Sequence, residues 1–397
     1  MLPLRRTLLL FLAGAAATAL AFSPHAAEQD DWAERALERS QSKQLGLPPL
    51  AHPADNPPTK AKIELGRKLF FDRRLSHNKT MSCGMCHVPE QGFTSNDLAT
   101  PVGHEGKSVR RNTPTSLNVG YVEALFHDGR DPSLETQFIA PMTAVNEMAN
   151  PSLGYVVDQI SRLEDYAPLF DAAFGGGPTT DRIGQALGAY QRSLVSGGSR
   201  FDKWRYGGQE HALSDQEKRG FELFTGKAAC ANCHTVGDDY ALFSDGEFHD
   251  TSYGWQREQR RQGKGGLVEV ELEPGVTTWM SSETLLTIGD PPEPDLGRYE
   301  VTLDPEDRWQ YRTPTLRNLA LTAPYMHDGG FRTLDDVIAF YDQGGFPHDH
   351  MDSRIKPLGL TDQEKADLIA FLLSLTGDNI DELISEARVA APDDHRR

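Results

Sequence analysis

Cys83-Gly84-Met85-Cys86-His87 and Cys230-Ala231-Asn232-Cys233-His234 are the two stretches on which the reading of this chain turns. Each has the C-x-x-C-H pattern, in which two thiols can form thioether bonds to porphyrin vinyl groups while the adjacent imidazole binds the iron. The chain has 4 cysteines, and the two motifs use all of them. A redox dithiol, a disulfide or a zinc site would explain one such motif. Two motifs with no spare cysteine point instead to two covalently bound haem c groups.

The approach to each motif is similar. Before Cys83, a helical pattern runs from Ala61 through Ile63, Leu65, Leu69 and Phe70; before Cys230, the capping box of Ser214 and Glu217 opens a run with Phe221, Leu223 and Phe224. Beyond the motifs, Arg111-Asn112-Thr113-Pro114-Thr115 and Leu125-Phe126-His127-Asp128-Gly129-Arg130 are echoed by Arg312-Thr313-Pro314-Thr315 and Tyr325-Met326-His327-Asp328-Gly329-Gly330. An amphipathic stretch follows each echo, Leu134 to Ile139 and Leu334 to Tyr341. A strong helix closes each unit, Asp181 to Leu194 and then Leu368 to Leu375 after the capping box of Thr361 and Glu364. The expected fold class is therefore mainly α, with two cytochrome c-like haem domains arranged as an internal repeat with long loops.

The expected divisions are a signal peptide over 1–27, a polar and proline-rich leader over 28–60, an N-terminal c-type haem domain over 61–200, a C-terminal one over 201–380, and a charged, frayed tail over 381–397. The join falls near Ser196 to His211. Between Gly237 and Gln310 the second unit carries a long insertion of unclear periodicity that holds Trp255, Trp279 and Trp309.

The signal reading rests on Arg5 and Arg6, the apolar run from Thr7 to Phe22 and small-residue cleavage candidates ending at Ala21 and Ala27. An uncleaved anchor is the alternative. Cleavage implies a soluble periplasmic protein with no membrane span, where covalent haem attachment takes place in bacteria. The formal net charge of -18 argues against a nucleic-acid partner, since phosphate binding needs a basic face. It suits a basic or dipolar electron-transfer partner, although acidity also serves solubility.

From about Lys62 to Gly377 the chain resembles the bacterial di-haem cytochrome c peroxidase and MauG superfamily. The resemblance is carried by Gly66 to Asp72 (GRKLFFD), both haem motifs, Val102-Gly103-His104, Arg111 to Thr115, His127 to Arg130, Asn146-Glu147-Met148, Leu296-Gly297-Arg298, Leu321 to Gly329 and Pro357 to Thr361, in order. It implies a hydrogen peroxide site at the His87 haem, with electrons drawn through the His234 haem. It implies His104 as the loop histidine that ligates the first iron in resting peroxidases, Glu147 as the carboxylate that moves a proton between the peroxide oxygens, and Gln137 in the same pocket. Read alone, His104 is a solvated loop residue and Glu147 a surface carboxylate on a helix.

At the second iron the family divides between methionine, which raises the potential, and tyrosine, which favours ferric and higher states. The matching position is Tyr341, the MauG-like choice; the alternative is a half-buried aromatic there, with Met326 or Met351 as ligand. Both branches typically carry tryptophan before Asp-Gly-Arg, whereas this chain has His127, which leaves charge-sharing between haems in question and would suit a propionate hydrogen bond. The resemblance also implies a calcium ion held by the Asn112 side chain and the backbone oxygens of Thr322 and Pro324, and it admits a homodimer. Three functions follow for test: a MauG-like peroxidase or oxidase acting on a protein or small-molecule substrate, an ordinary cytochrome c peroxidase fed by a small cytochrome or cupredoxin, and a non-catalytic electron carrier.

Overall fold

The computed structural model describes residues 32–262, 266–273, 275–281, 284 and 294–389. The expected signal peptide lies outside them. Among the described residues, ten helices reach eight residues or more: α1 (Trp32–Gln41), α2 (Lys60–Phe71), α3 (Leu153–Ser161), α4 (Ala167–Phe174), α5 (Thr180–Ser193), α6 (Asp215–Thr225), α7 (Tyr253–Arg261), α8 (Leu334–Asp342), α9 (Asp362–Leu373) and α10 (Ile380–Arg388). Four short strands accompany them: β1 (Phe248–His249), β2 (Leu267–Glu273), β3 (Val276–Ser281) and β4 (Tyr311–Arg312). The protein is thus mainly α with long loops.

Capping sets where the principal helices begin. Thr59 accepts from the Lys62 amide to start α2, while Ser214 with Glu217, Thr333 with Asp336 and Thr361 with Glu364 form complete capping boxes for α6, α8 and α9. The helices then pair through their apolar faces. Ile63, Leu69 and Phe70 of α2 meet Ile183, Leu187 and Tyr190 of α5 in one core; Phe224 of α6 meets Leu368, Phe371 and Leu372 of α9 in another, with Phe201 and Phe243. Both crossings are backbone-close. A Cβ on Gly66 would lie 2.0 Å from the Ala186 carbonyl oxygen, and one on Gly220 would lie 2.0 Å from that of Asp367. Only glycine fits at such a contact.

The two ends of the chain depart from the expected leader and tail. Trp32, Ala33 and Ala36 of α1 are buried in the first core, together with Leu383 and Ala387 of α10, which arrives there after the second unit is complete. Arg39 and Glu386 join the two helices at 2.5 Å, with side chains 7% and 6% exposed. The polar composition of α1 concealed this role: a few apolar positions suffice for a helix that covers a core already formed by α2 and α5. The insertion is also structured, since β1 pairs antiparallel with β4 (Phe248 with Arg312, His249 with Tyr311) and β2 with β3 forms a hairpin.

Candidate active site

Each haem motif is a tight turn that ends in a histidine pinned by the backbone. The His87 amide bonds the Cys83 carbonyl at 2.9 Å, and the His234 amide bonds that of Cys230 at 2.9 Å. His87 Nδ1 lies 3.1 Å from the Phe93 carbonyl oxygen and His234 Nδ1 lies 2.9 Å from that of Phe243. Donation to a carbonyl places the proton on Nδ1 and leaves the Nε2 lone pair available to a metal. Burial keeps both imidazoles neutral, lowering His87 to about 4 and His234 below its ordinary value. Phe71, at the end of α2, packs so closely on the first motif that a Cβ on Gly84 would lie 2.2 Å from its ring. None of the four cysteines is in a disulfide, and burial raises the thiols of Cys83 and Cys230 to about 12.

A cavity of about 1580 Å³ opens beside Cys86 and His87 and reaches Arg111, Asn112, His127, Arg130, Gln137 and Glu147. A narrower recess beside Cys83 again meets Gln137 and Glu147. Gln137 ends a single helical turn, and Glu147 sits in the turn after the short helix Ile139–Thr143. Glu147 is half-buried rather than on the open surface of a helix. Burial raises its carboxyl above the ordinary range, opposed by Arg130, and among the described residues its carboxylate makes no hydrogen bond or ion pair.

His104 is the predicted site residue that this cavity does not include. It is buried in the turn His104–Gly106, with its ring 6.2 Å from that of His77. The backbone explains the placement. The His104 amide donates to the Glu147 carbonyl at 3.1 Å, and Gly103 lies so close to Asn146 that a Cβ would come within 2.1 Å of its carbonyl oxygen. The loop is anchored to the Glu147 turn while its imidazole is housed behind it.

The second cavity, about 1560 Å³, holds Cys230, Cys233, His234, Met326 and Tyr341. Met351, the other candidate methionine, is not on its wall. Burial pushes the Tyr341 phenol up, the two motif cysteines add to the shift, and Thr251 on the same wall opposes it. Thioether formation would remove the cysteines' contribution. Both cavities are lined mainly by apolar side chains with a few polar groups among them, the character of a site for a large planar cofactor. With neutral Nε2 lone pairs and paired thiols at both walls, the residues fit two haem c groups.

The two cavities share a wall. His127, Arg312, Pro314, Leu319, Tyr325 and Met326 line both. His127 is neutral, lowered to about 3 chiefly by burial, with Nε2 3.0 Å from the Asn112 carbonyl oxygen. The candidate calcium ligands Asn112, Thr322 and Pro324 all line the first cavity near this wall, and the Asn112 side chain donates to the Ala99 carbonyl at 2.9 Å. Sequence reasoning missed Arg312 and the ring of Tyr311, which stacks on His327 at 3.8 Å. A signal for Arg312 existed: aligning Thr113-Pro114-Thr115 with Thr313-Pro314-Thr315 sets Arg312 opposite Asn112.

Comparison with known proteins agrees with this geometry. Residues 60–211 match the family model described as di-haem cytochrome c peroxidase. The methylamine utilization protein MauG of Methylorubrum extorquens is 37% identical over 326 residues, covering 82% of this chain and 80% of its own. The cytochrome c551 peroxidase of Nitrosomonas europaea is 31% identical over 323 residues, covering 80% of each. A crystal structure of a MauG-like protein associated with microbial copper homeostasis superposes with a TM-score of 0.67 at 32% identity, covering 87% of this chain and 96% of that one. The chain therefore belongs to the di-haem cytochrome c peroxidase and MauG superfamily of peroxide-dependent oxidoreductases.

Proposed function

We propose that the protein is a periplasmic MauG-like enzyme that reduces hydrogen peroxide at the His87 site and draws electrons through the His234 site from a protein or small-molecule substrate. The observation that carries this reading is the asymmetry of the two cavities: Glu147, without a partner among the described residues, lines the first, His104 is not on its wall, and Tyr341 lines the second. Two haem c groups would supply the redox chemistry, held by Cys83, Cys86 and His87 and by Cys230, Cys233, His234 and Tyr341. Glu147 takes a proton from one peroxide oxygen and gives it to the other as the O–O bond breaks, and its raised proton affinity suits both halves of that transfer. Two further protons and two electrons, the electrons drawn from the substrate through the His234 site, complete the conversion of peroxide to two waters. Gln137 donates to the bound peroxide and orients it, and the apolar wall of Phe138, Pro141 and Met142 limits water.

The matched glycine crossings and the matched histidine-to-carbonyl bonds support an internal repeat of two haem domains, 61–200 and 201–380. A calcium ion held by Asn112, Thr322 and Pro324 would brace the shared wall. The periplasmic location rests on the signal reading of 1–27, and no described helix is long and apolar enough to cross a membrane.

A second reading, an ordinary cytochrome c peroxidase with a small cytochrome or cupredoxin donor, is favoured by one observation: His104 Nδ1 is buried without a hydrogen-bond partner among the described residues, on a turn that abuts Glu147. Stopped-flow optical spectroscopy with stoichiometric peroxide separates the readings. Fast reaction of the diferric protein supports the MauG-like one, and reaction only after one-electron reduction supports the donor-fed peroxidase. Inertness of both forms leaves an electron carrier.

A further inference from the structure

Arginines on the cavity walls fall into two groups. Arg111 pairs with Asp128 and Asp295, Arg130 with Asp128, and Arg354 with Asp352. Arg312 lines both cavities, yet among the described residues it has no carboxylate within ion-pair distance. Its Nε donates to the Phe126 carbonyl at 3.4 Å and its Nη1 to that of Thr313 at 3.1 Å, while Nη2 has no acceptor. Its backbone amide bonds the His127 carbonyl at 2.8 Å, and its strand partner is Phe248, so the backbone that carries the guanidinium is held from two sides. Burial lowers its pKa and no neighbouring acid offsets that effect.

An unpaired, partly buried guanidinium is costly unless an anion joins it, and its planar fork is matched to a carboxylate. The anions available at the junction of two haem cavities are the haem propionates. We propose that Arg312 is a shared carboxylate anchor, taking a propionate from each haem and biasing both irons toward the reduced state. This rests on the two-haem reading above. The physical basis is Coulombic: a fixed positive charge in a poorly solvated wall favours addition of an electron on either side of it. Arg312 thus acts as a positioning residue for both cofactors, with His127 held beside it by the same strand.

The test is a potentiometric titration of Arg312→Leu and Arg312→Lys, preceded by a pyridine haemochrome assay for two haem c groups per chain. In Arg312→Leu both haems should become harder to reduce by at least tenfold in the equilibrium constant, about 59 mV each. Arg312→Lys should restore most of that shift, and its resonance Raman propionate bending bands should move at both haems, because a single ammonium replaces the fork. Unchanged potentials and bands, or a change at one haem only, would overturn the shared anchor. Should Arg312→Leu fail to load haem, Arg312→Lys decides by the same bands. A parent protein with fewer than two haem c groups would instead overturn the two-haem reading.

Discussion

Glu147→Gln separates the chemistry at the first cavity from its architecture. The substitution keeps the shape of the side chain and removes the proton acceptor. General acid–base catalysis typically contributes 10²- to 10⁴-fold, so the reaction with peroxide should slow by about that factor, or roughly 3–5 kcal/mol in barrier. The fold should not suffer. Among the described residues the Glu147 carboxylate has no hydrogen bond to lose, and burial raises its proton affinity, so its ionisation opposes folding. The sign follows from linkage. Between the unfolded carboxyl value of roughly 4.3 and the higher folded value, the folded state holds more protons, so this group's contribution to stability falls as pH rises through that window. Gln cannot ionise, and that slope disappears. Glu147→Gln should therefore be at least as stable as the parent at pH 7 by chemical denaturation, while stopped-flow traces with peroxide slow at least a hundredfold. Peroxide kinetics within a few-fold of the parent would refute the role of Glu147. A loss of activity that tracks a loss of stability would refute the argument that this carboxylate is structurally idle.

Gly220→Ala should destabilise the second core by about 1–3 kcal/mol, because the new methyl meets the Asp367 carbonyl at 2.0 Å; a denaturation midpoint equal to that of the parent would show that α6 and α9 can separate freely. Arg317→Met leaves Asp202, 0% exposed and doubly bonded to Arg317, as a buried unpaired carboxylate, and should cost about 3–5 kcal/mol by the same measurement. Tyr341→Phe removes the proposed phenolate from the second iron and should make that haem easier to reduce by at least tenfold, about 59 mV in a spectroelectrochemical titration; an unchanged potential would return the ligand to Met326.

The haem motifs were legible because covalent attachment needs contiguous residues, and the capping boxes because they are local hydrogen-bond patterns. The positions of Glu147, Gln137 and Tyr341 came from resemblance, since nothing local to a carboxylate in a turn marks it as facing a cavity formed by distant segments. His104 shows what chain spacing leaves unspecified. Spacing along the chain gives its point in the loop, but the His104 amide's bond to the Glu147 carbonyl and the close packing of Gly103 on Asn146 set how the loop lies against the Glu147 turn. The terminal helices were illegible for a related reason: α1 and α10 gain their stability from each other and from a core formed elsewhere, so their own composition reads as solvated.

The same long-range contacts bear on how the two cavities communicate. The segment after α1 reaches the second unit, where the Gly46 carbonyl accepts from Arg317 at 2.7 Å and from the Ala241 amide at 3.1 Å. In the opposite direction α10 leaves the second unit and returns to the first, where Arg67 donates to the Ala387 carbonyl at 3.1 Å. Each unit is therefore strapped to its neighbour by a chain end, and Arg39 with Glu386 closes the two straps on each other. The wall of His127 and Arg312 is itself tied across the two units, by the Arg312 amide to the His127 carbonyl and the Asn112 amide to the His327 carbonyl, each at 2.8 Å, and by Arg111 to Asp295 beside it at 2.7 Å. The straps add to these contacts from outside. With the separation held by contacts both at the wall and outside it, a substitution at His127 should change the chemistry of the wall more than it changes the distance between His87 and His234.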